Sequence, residues 1–548
     1  MKKLLYILLL LLFPMLTSAQ ESKWGRVSAS LESLNHIYVD DAANNFLPTE
    51  DYRFRYLDGS RYASNNYLKV DYYNGRLSAG LQLEGYFPTT IGYPLSESML
   101  TLSNLYLSWT DDNYSVTAGT FYDQLGSGLL FRSWEDRALG LNNAIMGARA
   151  TYGFNDIFDV KVFGGIPIVA KINEGAYYLS SDSRPVFDHG FAETAVLAAD
   201  AGISLSEIFD WDETILRIEG SVLYKQEELS DLMLIREFES ANVGYSARVN
   251  FDMDGFYAKG EYVSVGMQES LLGFAQPGNG QLLELGYNDR GLGLSLTGRR
   301  LYCMQQRVIQ ESLNTLPIDV NMMSYTPALS TQHTYMLANL NPYTPEVFGE
   351  IGGQFDAFYN FRRGSRIGGK RGMKVHANLA TYFTLDSEGG FDGSKMKFLD
   401  FSVDVEKQWT KKFKSTLMYT LQDYHKEVDG LYVGMSHTIV ADLLYKWTNS
   451  FSTRLELQYQ ATKEYQKDWM AALLEVSFAP HWSVFASDMF NHGSTMMHYY
   501  NAGVSYSYRW IRVAAGYGRY RAGFICSGGV CRQIPAYTGG NLTLTASF

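Results

Sequence analysis

Strict alternation of apolar and polar residues recurs along this chain of 548 residues. In Phe451–Gln460 the apolar side chains share one face, and Arg, Glu and Gln share the other. That spacing is typical of a β-strand with two different faces. The same pattern recurs in 77–84, 216–222 and 399–406. The predicted strands run about nine to twelve residues, longer than most strands of soluble sheets and sufficient to cross a bilayer at a tilt.

The connections between these strands alternate in length. Short turns, several with hairpin chemistry, are separated from one another by two strands and one longer loop. Outer-membrane barrels have this arrangement, with short periplasmic turns and long outside loops. The predicted short turns are 74–75, 111–113, 155–156, 210–213, 254–255, 289–290, 410–411, 448–449, 479–481 and 510–511. The chain is therefore predicted to be all-β: a large antiparallel transmembrane β-barrel of about 24 strands, give or take roughly two to four.

Tryptophan placement supports this prediction, because aromatic rings prefer the membrane interface. Most of the tryptophans lie beside predicted short turns or at the start of the first strand: Trp24, Trp109, Trp211, Trp409, Trp447, Trp482 and Trp510. The last segment alternates in polarity and ends on Phe548. This ending resembles the C-terminal assembly signal of bacterial outer-membrane barrels. It implies the barrel-assembly machinery as a partner during biogenesis and outer-membrane lipid as the surroundings.

The N-terminus has the features of a secretory signal peptide. Lys2 and Lys3 precede an apolar stretch over 4–13, and a run of small residues ends at Ala19. An uncleaved anchor needs about twenty apolar residues, and Pro14 interrupts this stretch too early. We therefore expect residues 1–19 to be a signal peptide and 20–548 to form a single barrel domain. The expected location is the cell outer membrane of a Gram-negative bacterium.

Composition and net charge limit the kinds of partner that the chain can bind. The chain has 15% aromatic and 19% charged residues, and its formal net charge is -12. An acidic balance argues against nucleic acid as a partner. The sequence suggests no cofactor. The acidic loop with Asp386, Glu388 and Asp392 is interpreted as a metal-free turn in preference to a calcium site.

Two motifs resemble those of a known family. One is the segment 119–140, GTFYDQLGSGLLFRSWEDRALG, followed by Asn142-Asn143-Ala144, and the other is Cys526-Ser-Gly-Gly-Val-Cys531-Arg532. Both resemble a functionally uncharacterised family of Bacteroidota outer-membrane β-barrels, a domain of unknown function. The similarity spans the mature chain. It implies location and architecture, without a reaction or a substrate.

Two long connections are candidates to fill the lumen. The segment 119–140 combines many apolar residues with a zwitterionic cluster of Arg132, Glu135, Asp136 and Arg137. These charges line a constriction if the loop folds inward, and they are structural ion pairs if the loop is an outside cap. The connection 301–349 carries four prolines and several apolar residues that need burial. It is a candidate inner plug or, alternatively, an outside lid.

Cys526 and Cys531 are separated by four residues that include two glycines, which suits a local disulfide in an oxidising compartment. Two free thiols are the alternative, and Cys303 is left unassigned. A basic link between two strands is longer than the other short turns. It is a candidate periplasmic docking point for an acidic partner, and otherwise a membrane-surface contact or a solvated turn. Its basic residues are Arg362, Arg363, Arg366, Lys370 and Arg371.

The functional prediction is a porin or channel-like barrel for small hydrophilic solutes that is partly plugged. It is expected to favour cations or neutral molecules, because its polar face and net charge are acidic. The alternative is a non-channel scaffold that binds envelope lipoproteins or other outer-membrane proteins in an assembly or secretion complex. An enzyme is not expected, since His492 near Ser494 is the one suggestive cluster and matches no known barrel hydrolase motif.

Overall fold

The computed structural model describes residues 25–48, 61–93, 99–172, 187–270, 273–308, 322–428, 430–527 and 530–548. The predicted signal peptide, 1–19, lies outside these residues. Within them, 24 long strands form one antiparallel sheet in which each strand pairs with the next along the chain. The first and last strands also pair with each other, from Ser30 opposite Ser547 to Tyr38 opposite Gly539, and this pairing closes the barrel.

The barrel strands contain between 8 and 18 residues. They are β1 Arg26–Tyr38, β2 Tyr62–Asn74, β3 Leu77–Tyr86, β4 Met99–Thr110, β5 Tyr114–Phe121, β6 Ile145–Phe154, β7 Phe158–Ile172, β8 Thr194–Ser204, β9 Thr214–Glu227, β10 Ala241–Met253, β11 Phe256–Glu269, β12 Ala275–Asp289, β13 Leu292–Tyr302, β14 Gly349–Phe361, β15 Met373–Leu385, β16 Phe391–Gln408, β17 Phe413–Val428, β18 Leu431–Lys446, β19 Phe451–Thr462, β20 Trp469–Phe478, β21 Trp482–Asn491, β22 Met497–Tyr508, β23 Ile511–Tyr520 and β24 Tyr537–Ser547. The predicted count of about 24 is confirmed.

Shorter elements lie in the connections. They are two strand pairs, Gln124–Leu125 with Phe131–Arg132 and Glu135–Asp136 with Leu141–Asn142, the hairpin Gly523–Ser527 with Val530–Ile534, the strand Phe187–Phe191, the helices Leu205–Ile208 and Asp231–Ile235, and the 3-10 turns Ala42–Asn44 and Gly369–Arg371. Among the described residues, no helix has both the length and the apolar character needed to span a membrane.

The barrel wall is apolar outside and polar inside. In β10, Val243, Tyr245 and Val249 are exposed on the outer face, whereas Ser246 and Arg248 are buried on the inner face. A soluble protein buries its apolar side chains and exposes its charged ones. The reversed pattern, repeated around the sheet, is that of a transmembrane barrel whose outer face contacts lipid.

The predicted short turns all lie at the end of the barrel that holds the chain termini, hereafter the turn face. The basic link, 362–372, also lies there, so the predicted alternation of connections holds through it. One prediction was too narrow: the turn placed at 210–213 belongs to a longer connection that begins with the helix Leu205–Ile208. That helix satisfies local backbone groups, and sequence periodicity did not separate it from the end of β8.

Six of the predicted belt tryptophans are exposed beside the turn face: Trp109, Trp211, Trp409, Trp447, Trp482 and Trp510. Trp24 lies outside the described residues. Phe548 closes the sheet at this end: its N–H donates to the carbonyl of Ala29 at 2.9 Å, and its carbonyl accepts from the Ala29 N–H at 2.7 Å. Its ring meets Trp510 edge to face, with 5.9 Å between centroids. The last strand and its terminal aromatic are thereby fixed against β1 and the interface belt.

Candidate functional site: the filled lumen

Four segments from the loop end of the barrel contact the inner wall. We name them the rim segment (39–48), the inner loop (122–144), the cross-segment (322–348) and the outer hairpin (523–534). Each contacts inward-facing side chains of strands or another of these segments. Together they occupy the loop-end half of the lumen. In a barrel of this width the side chains of the strands alone do not fill the lumen.

The inner loop packs into an apolar section of the wall. Leu125, Leu129, Leu130 and Phe131 are buried in one cluster with inward side chains of β7–β11. The wall residues of this cluster are Phe163, Val196, Ala198, Leu223, Val263 and Val265. Each large apolar side chain buried in this way contributes roughly 1.5–3 kcal/mol. The inner loop is therefore held mainly by the hydrophobic effect.

A buried ion pair fixes the start of the inner loop. The Asp123 carboxylate accepts from Lys161 Nζ at 2.6 Å and lies 3.4 Å from Arg149 Nη1. Further along, the Ser127 N–H donates to Glu261 at 3.1 Å. Since Lys161, Arg149 and Glu261 all belong to the wall, polar contacts set the register of the loop while apolar contacts supply most of its stability.

Arg137 of the predicted charged cluster faces the wall of β1–β3. Its guanidinium donates to Glu32 at 2.7 Å, to Glu135 at 2.8 Å and to Gln82 at 3.2 Å. It also lies 4.4 Å from the centroid of the Tyr67 ring. Burial alone lowers the pKa of Arg137, but the two carboxylates outweigh it and raise that pKa. Arg137 is thus a permanent positive charge, about a quarter exposed, between the loop and the wall.

The other members of the cluster point elsewhere. The Arg132 guanidinium lies 3.8 Å from the Tyr325 ring centroid and 5.5 Å from that of Trp134. Asp136 accepts from the Leu139 N–H at 3.1 Å, within its own turn. The four charges thus do not meet as one group. Arg137 and Glu135 interact with the wall, and Arg132 interacts with the cross-segment.

The middle of the cross-segment is held by hydrogen bonds to a polar section of the wall. His333 Nε2 lies 2.9 Å from an Asp400 carboxylate oxygen, and both residues are buried. The Leu337 N–H donates to the Gln458 amide oxygen, and its carbonyl accepts from the Gln460 amide, each at 2.9 Å. These wall residues belong to β16 and β19. The cross-segment therefore reaches the opposite side of the barrel from the inner loop.

An aromatic stack anchors the end of the cross-segment. Tyr343 lies between Phe398 and Tyr382, with centroid distances of 4.4 and 4.9 Å and nearly parallel rings. Its hydroxyl donates to Glu350, which also forms a buried ion pair with Arg299 at 3.1 Å. Burial, followed by the Glu350 charge, raises the pKa of Tyr343, so this phenol is neutral.

The segments also bind one another. The Arg132 N–H donates to the Met323 carbonyl at 2.7 Å, and the Asn143 amide donates to the Met322 carbonyl at 2.6 Å. Ile525 of the outer hairpin packs on the cluster formed by Trp134, Leu139, Leu141 and Met322. The inner loop is thus the central element on which the cross-segment and the outer hairpin rest.

The rim segment is tied to β23 by an ion pair. Asp41 accepts from Arg519 at 2.7 and 3.0 Å and from the Thr538 hydroxyl at 2.8 Å. Asn44 donates to the carbonyls of Tyr520 and Tyr537, both at 3.1 Å. Although burial raises the pKa of Asp41, the contacts from Arg519 and Thr538 outweigh it and lower that pKa.

The turn-face half of the lumen is lined by partly exposed charges. Arg454 donates to Asp442 at 2.9 Å and to Glu456 at 2.5 Å. His376 lies between Asp356 and Asp404, at 2.6 and 2.7 Å. Arg454, His376 and the two carboxylates beside His376 are about 30% exposed. Glu456 is buried, and Asp442 also accepts from the hydroxyl of Tyr335 in the cross-segment. The inner wall predicted to be polar carries polar side chains in both halves of the barrel, and its loop-end half also contains the apolar section that packs on the inner loop.

The remaining candidate residues are the cysteines, His492 and the acidic residues in and beside the loop after β15. In the outer hairpin Cys526 is opposite Cys531 in the strand register, but both side chains lie outside the described residues, so the disulfide stays a prediction. Cys303 is a buried free thiol. His492 stacks on Tyr459 at 5.8 Å. Asp386 and Asp392 accept from nearby backbone N–H groups. Within the described ranges, no group of three or more His, Cys, Asp or Glu is placed to hold a metal ion.

No curated protein sequence matches the chain. Among solved structures, the siderophore receptor PirA from Pseudomonas aeruginosa has a TM-score of 0.42 at 9% identity, over 96% of this chain and 80% of its own. The copper transporter OprC has a TM-score of 0.40 at 9% identity, over 96% and 81%. The outer-membrane transporter YddB from Escherichia coli has a TM-score of 0.41 at 9% identity, over 95% of this chain and 80% of its own. These similarities are too distant to bear on function. A family model described as a family of unknown function, DUF6029, matches residues 1–548, and the chain therefore belongs to that family.

Proposed function

We propose that the protein is an outer-membrane channel for small hydrophilic solutes that its own outside loops close at rest. The observation that carries this proposal is the set of polar inner-wall residues that the cross-segment covers. A wall built only to be filled permanently has no need of Asp400, Gln458 and Gln460 facing inward. Polar groups at these positions become hydrated when the cross-segment leaves, which offsets part of the cost of exposing the apolar residues Met418, Val440 and Trp469 beside them.

The proposed location is the outer membrane of a Gram-negative bacterium, with the turn face in the periplasm. The apolar outer wall requires lipid, and the exposed tryptophans beside the turns fit an interface. Barrels of this kind keep their termini and short turns on the periplasmic side. The long loops that fill the lumen then enter it from outside the cell.

The cross-segment is the proposed moving part. Its middle, 328–341, is held by hydrogen bonds through His333 and Leu337, each worth about 1 kcal/mol net because water replaces them on opening. Small apolar clusters around Leu337, Ala338 and Leu340 add to these contacts, and they contain fewer large apolar side chains than the cluster that holds the inner loop. Arg137 and Glu135 remain beside the opened space, attached to the inner loop. Since the turn-face half of the lumen is rich in carboxylates, the proposed preference is for cations or neutral molecules.

Single-channel conductance in planar bilayers tests this proposal. The intact protein should conduct weakly, and a variant with 328–341 replaced by a short Gly-Ser linker should conduct several-fold more. Heat-modifiable migration in detergent gels shows that both barrels are folded. Unchanged conductance in a folded linker variant would contradict the channel.

A non-channel scaffold is the second candidate, favoured by the filling of the loop-end half of the lumen and by the exposed basic link. In that role the barrel binds envelope lipoproteins or other outer-membrane proteins. The two candidates give different results in the same experiment. A scaffold is electrically silent in both forms and co-purifies with a stable envelope partner.

A further inference from the structure

The turn face carries its charges in two separate arcs. Four neighbouring connections between β4 and β11 hold eight acidic residues and no basic one, and Asp252 lies at the strand end beside them. The eight are Asp111, Asp112, Asp156, Glu207, Asp210, Asp212, Glu213 and Asp254. Three connections between β14 and β19, with the strand ends beside them, hold eleven basic residues and one acidic residue, Glu406. The basic residues are Arg362, Arg363, Arg366, Lys370, Arg371, Lys374, Lys407, Lys411, Lys412, Lys414 and Lys446. We name these the acidic arc and the basic arc.

The arcs are available for binding. In the acidic arc Asp112, Asp210, Asp212 and Glu213 are exposed, and in the basic arc Arg362, Arg363 and Arg366 are exposed. Among the described residues, none of these seven forms an ion pair; elsewhere in the arcs Asp111 pairs with Arg76, and Lys414 pairs with Glu406. Charges that already form ion pairs within the protein contribute little to binding a partner. Most of the charges in the two arcs are not paired in this way among the described residues.

Each arc also exposes apolar side chains at its centre. In the acidic arc Phe209 is 60% exposed and stacks on the belt residue Trp211, with 5.6 Å between ring centroids. In the basic arc Ile367 is exposed between Arg366 and Lys370. An apolar centre with a charged rim is the usual anatomy of a protein-binding surface.

The distance between the two arcs is larger than the distance over which a screened charge acts. Strand spacing and tilt in a barrel of this size place their centres roughly 40 Å apart across the lumen mouth. The screening length at physiological salt is only about 8 Å. Each arc therefore acts on what touches it, and a ligand that uses both must span the opening.

We propose that the turn face binds one soluble protein whose surface carries a basic lobe for the acidic arc and an acidic lobe for the basic arc. This partner sits across the turn-face mouth of the lumen. Anionic lipid headgroups would explain the basic arc alone, and the acidic arc would repel them. The inference is independent of whether the barrel conducts, since it depends on the outer surface of the turns.

Photo-crosslinking in living cells of the source organism tests this proposal with the full-length protein. A photoreactive residue replaces Ile367 in one strain and Phe209 in another. We expect adducts from both positions that contain the same soluble protein, identified by mass spectrometry. Different proteins at the two positions, a lipid-only adduct at Ile367, or a product containing only a second copy of this chain would overturn the proposal.

Charge variants complete the test. R362E/R363E/R366E and D210K/D212K/E213K should each reduce adduct yield at both positions by at least tenfold, because one rigid partner needs both arcs. The matched control R362K/R363K/R366K keeps the charge and should retain the adducts. Heat-modifiable migration confirms that every variant is folded. Adducts that survive either charge reversal in a folded barrel would contradict the proposal.

Discussion

Two sides of the lumen are filled in different ways. On the side of β7–β11 the wall is apolar, and the inner loop inserts Leu130 and Phe131 among Phe163 and Val263. On the side of β16–β20 polar wall groups such as Asp400 form hydrogen bonds with the middle of the cross-segment. Smaller apolar clusters around Leu337 and Ala338 lie beside them. Both loops are buried, and removing either exposes apolar surface to water. Removing the middle of the cross-segment exposes the smaller apolar clusters, together with polar groups that water solvates.

This difference separates a fixed element from a movable one. Burial of several large apolar side chains makes displacement of the inner loop unfavourable by several times the thermal energy. Hydrogen bonds exchanged for water contribute far less net free energy. The inner loop therefore acts as a permanent part of the barrel core, and the cross-segment can leave while the barrel stays folded. The aromatic stack at Tyr343 keeps the end of the cross-segment attached.

The largest effect is expected on the apolar side. Phe131→Ala removes a fully buried ring and should lower the free energy of unfolding by about 3–5 kcal/mol. The measurement is the denaturant midpoint of the heat-modifiable form in detergent gels. Conductance of the protein that remains folded should stay low. Strong conductance without loss of stability would reverse the roles of the two sides.

The next effect is expected on the polar side. Gln458→Leu leaves the Leu337 N–H without its acceptor when the segment is seated, which costs about 1–3 kcal/mol. Because this penalty disappears when the segment leaves, the open probability should rise roughly tenfold. Single-channel recording measures it, with Phe131→Ala as the comparison. An unchanged open probability would show that this contact does not hold the closed state.

A smaller effect, on ion selectivity, is expected from Arg137 and Arg132 of the inner loop. Arg137→Gln should increase cation preference, because a permanent positive charge beside the passage is lost. Arg132→Gln should change it less, since that guanidinium is covered by Tyr325 and Trp134. Reversal potentials in a salt gradient measure both shifts. Equal shifts would show that Arg132 also faces the passage.

The smallest effect concerns pH at the rim segment. A carboxyl whose pKa is lowered by folding stabilises the fold above its unfolded value, about 3.9, and loses that contribution as the pH falls through the folded value. The lowered pKa of Asp41 thus keeps its contact with Arg519 intact between pH 5 and about pH 7. Conductance should be constant over that range and rise only in stronger acid, and Asp41→Asn should raise it slightly at neutral pH.

The sequence predicted the barrel because its signals are local. Alternation in Phe451–Gln460, the short turns and the belt tryptophans each depend on residues a few positions apart, and the structure has β19, the turns and the exposed rings where they were expected. The filling of the lumen depends on contacts between distant residues. His333 and Asp400 are 67 positions apart, and neither has a local pattern that indicates the other.

The charged cluster illustrates the same limit. Its composition indicated a compact zwitterion, but Arg137 pairs with Glu32, which is 105 positions earlier, while Arg132 stacks on Tyr325. The rim contact between Asp41 and Arg519 was not anticipated at all, since it joins opposite ends of the chain. Closure of the barrel between β1 and β24 brings these residues together.

The central claim is that the cross-segment leaves its place in the lumen far more readily than the inner loop does. Thiol labelling of one matched position in each segment tests this claim most directly. Leu130 on the apolar side and Leu337 on the polar side are both fully buried. Each is changed to cysteine in a Cys303→Ser background, and labelling of that parent is subtracted to account for Cys526 and Cys531. A water-soluble thiol reagent reports local opening in the folded barrel. The account predicts labelling at least tenfold faster for Leu337→Cys than for Leu130→Cys, and equal rates would contradict it.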